Sequence, residues 1–169
     1  MEQKDTNASI ERFIRDLGNP DGMIRQHARH ALIKIGAPAV DPLIDAYRTG
    51  DKIVHYEAAE ALSRIRSAKA IETFIQALED DDFSVRWVAA EGLIAIGRPA
   101  VKPLLEVLER RSDSTWIRDG AHHVLNDLVT QDLVDWQTKK ILQPVLDAYQ
   151  HFEPEEYLPS AADQALGKL

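Results

Sequence analysis

His30, Glu60, Glu91 and His123 follow one another at intervals of 30, 31 and 32 residues. Imidazole and carboxylate are good ligands for first-row metals, so this series is where a metal centre would be sought first. A metal site needs three or four converging ligands and a supporting shell, however, and residues on adjacent packed helices start ~10 Å apart. His27 lies one helical turn from His30, which makes His27, His30, Glu57 and Glu60 the best cluster the sequence offers. The expectation is a solvated polar stripe, with no metal and no cofactor. The chain has no cysteine, so thiolate sites, disulfides and cysteine nucleophiles are excluded. It has no Gly-rich phosphate loop, Ser/His/Asp spacing or paired-carboxylate signature, and no catalytic residue is assigned. His122-His123 reads as one partly buried and one surface side chain.

The interval belongs to the whole chain. LIKIGAPAVDPL (Leu32 to Leu43) returns as LIAIGRPAVKPL (Leu93 to Leu104) with nine of twelve positions identical, and LSRIRSAKAIETF (Leu62 to Phe74) is a looser copy. Upstream stand Ile24-Arg25, Val54-His55, Val85-Arg86 and Ile117-Arg118, with Ala28, Ala58, Ala89 and Ala121 three residues after the polar member. Such a period is the mark of stacked repeats. Each copy reads as two helices. The first carries Val85, Ala89, Gly92, Leu93 and Ile96, or their equivalents, on one face of a 3.6-residue period. The second has Pro42, Pro103 or Pro144 in its first turn, where a missing N–H has no partner to lose. Gly36 and Gly97 end the first type of helix, and Asp80, Asp81 and Asp82 are placed to cap the third copy. Arg25, Arg86 and Arg118 are expected to pair with acids of the preceding loop (Asp21, Asp80 to Asp82, Asp113) and tie repeats together, with His55 interrupting the series.

The ends depart from the pattern. Ser9 to Leu17 matches the second type of helix. Leu142, Val145, Leu146 and Tyr149 mark it again about ten residues late, after an insertion at 129–138 that carries Trp136. Pro159 to Leu169 reads as a last Ala/Leu helix. Its Ala162, Ala165, Leu166 and Leu169 lack the polar outer face of a terminal repeat, which predicts a continuing chain or a docking surface.

This pattern resembles the HEAT-repeat superfamily, in the short form of about 31 residues named after phycobilisome (bilin) lyases. Val85, Arg86, Ala89, Ala90, Leu93, Ile96, Gly97, Ala100, Val101, Pro103, Leu104, Leu105 and Leu108 carry the resemblance almost position for position. It implies an all-α, right-handed α-solenoid of about five two-helix repeats in one domain, at 9–36, 37–66, 67–97, 98–128 and 139–169. It also implies that the Pro-bearing helices form the convex layer and the Ala/Leu helices the concave one. One enzyme family with such repeats, the deoxyhypusine hydroxylases, binds iron through His-Glu pairs. The matching positions here are Gln26-His27, Tyr56-Glu57, Trp87-Val88 and Asp119-Gly120, none of them His-Glu.

On that frame the solvent-facing positions of the third copy are Phe83, Ser84, Trp87, Val88, Glu91 and Ala95, where a solvated face should be Lys, Glu and Gln. Trp116 and Tyr56 flank them. Tyr56, Phe83, Trp87 and Trp116 are the expected anchors of a partner, because binding energy concentrates on aromatic residues in desolvated centres. Glu57, Glu60, Glu91, Asp119 and Asp127, with His123, form the expected rim. The competing reading is that the aromatics pack between helices and fill a tight concave curve. The function read from this is a non-enzymatic protein-binding module or scaffold, taking a basic or apolar segment of a protein partner. The alternative is a subunit of a bilin lyase or a bilin-handling protein, which the resemblance implies; a third is a His/Glu metal-dependent hydroxylase-like enzyme.

Charge agrees with a basic partner. Residues 1–50 are neutral, while residues 51–169 hold 21 acidic and 13 basic side chains and carry the whole net charge of −8. Nucleic acid is excluded as a partner by that acidity. No apolar run is long enough to span a membrane, no secretory segment opens the chain, and a cytoplasmic location is expected.

Overall fold

The computed structural model describes residues 2–169, with side chains from Thr6 onward. It contains ten α-helices and no strand among those residues: α1 (Glu2–Asp16), α2 (Gly22–Ile35), α3 (Val40–Thr49), α4 (Lys52–Ile65), α5 (Ile71–Ala77), α6 (Phe83–Ile96), α7 (Val101–Arg111), α8 (Thr115–Thr130), α9 (Trp136–Ala148) and α10 (Pro154–Leu166). The molecule is an all-α solenoid. The helices α2, α4, α6 and α8 stack on one another, and α1, α3, α5 and α7 lie behind them. The even-numbered helices touch more extensively than the odd-numbered ones, which makes theirs the shorter, inner side.

Local sequence explains the regularity. Each inner helix has a side-chain cap that accepts a backbone N–H left over in its first turn: Asp21 from Met23, Asp51 from Ile53 and Val54, Asp82 from Ser84, and Ser114 from Ile117. Two inner helices stop at Gly36 (φ 74°) and Gly97 (φ 81°); the intervening α4 stops at Arg66 (φ 58°), the left-handed conformation without a glycine. Leu32, Leu62, Leu93 and Leu125, at one position of successive copies, are wholly buried. Phe74 of α5 fits because Gly92 faces it: a Cβ there would stand 2.6 Å from the ring. Burial of the β-branched residue is incomplete at the N-terminal end, where Ile24 is exposed while Val85 and Ile117 are buried.

The arginines tie repeats together, but through different atoms than the expected carboxylates. Nη1 of Arg25 donates to the carbonyls of Asn19 and Pro20 at 2.8 and 3.1 Å. Arg86 does the same to Asp80 and Asp81 (2.6 and 3.2 Å), and Arg118 to Ser112 and Asp113 (2.5 and 3.1 Å). In each case the carbonyls belong to the two residues just before the cap of the following inner helix, so the guanidinium fastens the loop that joins one repeat to the next. Where His55 replaces arginine, its Nδ1 meets Asp80 Oδ2 at 2.9 Å, and Tyr47 donates its hydroxyl to the same oxygen at 3.1 Å. Burial and the neighbouring Asp80 charge push the Tyr47 hydroxyl well above the ordinary phenol range.

The last two helices correct the expected pattern. Pro144 stands in the middle of α9, not in its first turn, because α9 begins at Trp136 with Asp135 as its cap, inside the stretch assigned to the insertion. Pro159 likewise lies inside α10. More consequentially, α10 does not continue the inner layer by packing on α8. It packs on α7 and α9, with Ser112 at the end of α7 reaching Glu155 at the start of α10. The final hairpin is therefore exchanged, with α9 beside α8 and α10 beside outer α7. Its apolar residues Ala162 and Ala165 are buried in that contact, and Leu166 and Leu169 line a cleft with Arg98, Pro99, Val101 and Lys102.

Candidate functional site

The capped starts of α6 and α8 bring their first turns side by side on the inner layer. Between them opens a cleft of about 350 Å³ whose walls are Phe83, Arg86, Trp87, Trp116, Asp119 and His123, and whose floor is Leu78, Ala90 and Gly120. Gly120 lets Leu78 pack closely against α8 as part of the floor. A Cβ on Gly120 would stand 2.8 Å from Leu78.

The aromatic rings are arranged and not merely exposed. The guanidinium of Arg86 lies over the Trp116 ring at 4.6 Å and near Phe83 at 5.8 Å, a cation–π clamp that fixes its plane. Phe83 and Trp87 have centroids 6.4 Å apart, and Trp87 stacks on His123 at 5.0 Å. His123 in turn lies between Glu91 Oε1 (3.4 Å from Nε2) and Asp127 Oδ1 (4.0 Å from Nδ1). Despite these contacts Phe83 keeps 67 %, Trp87 48 % and Trp116 43 % of its surface exposed, so helix packing does not consume them.

A second cleft of about 340 Å³ lies on the other side of Trp87, lined by Glu60, Ser63, Arg64, Arg66, Val88, Glu91 and Ala95. Glu60 there is bound to Arg64 at 3.1 Å. The indole of Trp87 is thus a shared wall.

Of the ten residues singled out in the sequence, Phe83, Trp87, Trp116, Asp119 and His123 line the first cleft, Glu91 and Asp127 hold His123, and Glu60 lines the second. Tyr56 is exposed on α4 and lines neither cleft. Glu57 departs from the expectation of a rim residue. It is only 6 % exposed, and its carboxylate receives Arg25 Nε at 3.2 Å and Arg29 Nη1 at 2.6 Å. A carboxylate between two arginines of the neighbouring helix gains more from them than from water, so it turns inward. Val88, expected to face the groove, is likewise buried. Arg86, read as a structural tie alone, is that and also a wall of the cleft. Its i+1 neighbour Trp87 and the following copy's Trp116 were the signal that could have placed it there.

No three His, Asp or Glu side chains converge to hold a metal among the described residues. His27 packs its ring edge-on against Phe13 at 5.8 Å, and Glu57 and Glu60 are turned to arginines. Trp136, 69 % exposed, opens α9 and lines neither cleft. No helix among the described residues is long and apolar enough to cross a membrane.

A family model described as HEAT repeats matches residues 40–126. No curated protein matches the chain. Among solved structures, the complex of CpcE and CpcF of phycocyanin lyase from Nostoc sp. PCC7120 contains a chain that is 23 % identical, with 91 % of this chain and 98 % of that one covered and a TM-score of 0.58. A designed armadillo repeat protein in complex with the peptide (KR)4 is 19 % identical over 94 % of this chain and 90 % of its own, with a TM-score of 0.44.

Proposed function

Since the chain belongs to the HEAT-repeat family, we propose that it is a non-enzymatic binding module that grips a segment of a protein partner on its inner face. One observation carries the reading: Phe83, Trp87 and Trp116 surround a single open cleft and each keeps at least 43 % of its surface exposed, although all three sit on a layer otherwise packed through small residues. Rigid aromatic rings with two torsions each lose little freedom on binding and bury much apolar surface. An exposed apolar cluster of this kind is rare on a surface that meets only water. Glu60, Glu91, Asp119 and Asp127 surround it and favour basic side chains at the edges of the partner segment.

The test is an affinity capture from the source cell's lysate, comparing the unaltered chain with a Trp87→Ala/Trp116→Ala double variant, followed by direct titration of each captured protein. We expect a partner whose binding is weakened at least about ten-fold by Trp87→Ala alone, with the helical circular dichroism unchanged. Equal binding by the double variant, or a large fall in melting temperature with Trp87→Ala, would return the aromatics to a packing role. The likeness to a phycocyanin lyase chain gives a second reading, a bilin-handling subunit. Titration with biliverdin, a linear tetrapyrrole, separates the two: saturable binding with a shifted absorption band would overturn the protein-binding reading in favour of the pigment.

A further inference from the structure

Resting on the reading that this chain binds a polypeptide segment, we propose that the cleft between α6 and α8 receives an acidic side chain of that segment, its carboxylate held by Arg86. The argument comes from comparing the seams between successive copies. In the seam between α2 and α4, Arg25 turns Nη1 to two backbone carbonyls and Nε to Glu57, while Arg29 holds the other oxygen of the same carboxylate. In the seam between α6 and α8, Arg86 repeats the first half of that arrangement, with Nη1 on the carbonyls of Asp80 and Asp81. The position equivalent to Arg29 is Ala90, and the position equivalent to Glu57 is Gly120. Both line the cleft. The opening lies where an ion pair stands two repeats earlier, with Leu78 packed against Gly120 as part of its floor, and the arginine that faced that pair is still in place. In the intermediate seam the corresponding residues are His55, Ala59 and buried Val88, so an apolar side chain stands in the place of the carboxylate.

The remaining arginine is prepared for an anion. Trp116 and Phe83 hold its guanidinium plane, and no carboxylate of the described residues pairs with it. Its counterparts do have such partners: Arg25 has Glu57, and Arg118 has Glu155 at 3.9 Å. Asp119 lines the same cleft without an ion pair to Arg86, so the incoming carboxylate also meets a negative charge. That charge is balanced when the partner's acidic residue stands beside a basic one, which turns a general preference for basic segments into a pattern: acid in the centre, base at its side.

Selection of displayed random dodecapeptides on the intact chain, followed by calorimetric titration of synthetic versions, tests this. The expected result is a set of peptides sharing an Asp or Glu beside a Lys or Arg. Replacing that acid by Gln or Asn should weaken binding about ten-fold or more, since the lost contact is a charge-assisted one. Against Arg86→Gln, the same peptide change should have no further effect. Arg86 also fastens the loop before α6, so its variant could fail to fold; the peptide change on the unaltered chain decides the matter alone. Peptides that need Trp87 and Trp116 but tolerate the change within about two-fold would overturn the inference and leave the protein-binding reading standing. Recovery of no enriched peptide would count against both.

Discussion

Pro159 shows how a single residue's missing donor is accommodated. In a helix its N–H would bond the carbonyl of Glu155, and proline has none to give. That carbonyl instead receives the buried hydroxyl of Ser112, 3.0 Å away on the other side of the contact between α7 and α10. Ser112→Ala should therefore lower stability by about 1–2 kcal/mol, read from denaturant titration, because a buried acceptor is left without a donor. Adding Pro159→Ala should recover most of the loss, since the helix then supplies its own N–H. Neither member was recognisable in the sequence: a serine at a helix end and a proline near a repeat boundary both read as ordinary local punctuation. The aromatic residues of the cleft were legible, because a tryptophan at a solvent-facing helical position contradicts the surrounding pattern. Glu57 was not, because its burial depends on two arginines of the preceding helix whose side-chain directions no one-dimensional period supplies.

At the level of elements, helix starts and stops followed their local chemistry wherever the repeat was regular, and failed where it was not. The start of α9 is set by Asp135, whose carboxylate accepts the Thr138 N–H at 2.9 Å and faces Arg98 at 3.4 Å. The Thr138 bond, with the Arg98 charge assisting, holds the Asp135 carboxyl below the ordinary carboxylate range. A depressed value means that this group stabilises the fold above the unfolded carboxylate value of about 3.9, and that its contribution is lost as the pH falls through the lowered value. Asp135→Asn keeps a good cap but not the charge. We expect its melting temperature to fall less steeply between about pH 5 and 3 than that of the unaltered chain, and to be slightly lower at pH 7. Parallel curves would show that the charge adds nothing to the cap. The exchange of α9 and α10 was hidden from the sequence for a related reason. Apolar spacing says that a helix has a buried face, not which neighbour covers it, and the loop before α9 reverses through Asp132 (φ 61°) with an ion pair to Lys139.

For the whole molecule, a stack in which each copy touches mainly its neighbours should lose stability locally. Leu93 is wholly buried in α6, and Leu93→Ala should cost about 2–5 kcal/mol. Hydrogen exchange should then accelerate in α4, α6 and α8 before α1 responds, whereas uniform acceleration would mean that the array unfolds as one unit. The same architecture bears on the indole of Trp87, which bounds the cleft between α6 and α8 on one side and the cleft beside Glu60 and Arg64 on the other. A guest that turns this ring to widen one chamber narrows the other by the same rotation. Such a rotation would link the occupancy of the two, and by reciprocity each guest would then change the other's affinity by one common factor. Trp87 in that sense is a hinge post between two rooms, and a ligand recognised in either one alters the tenancy of both.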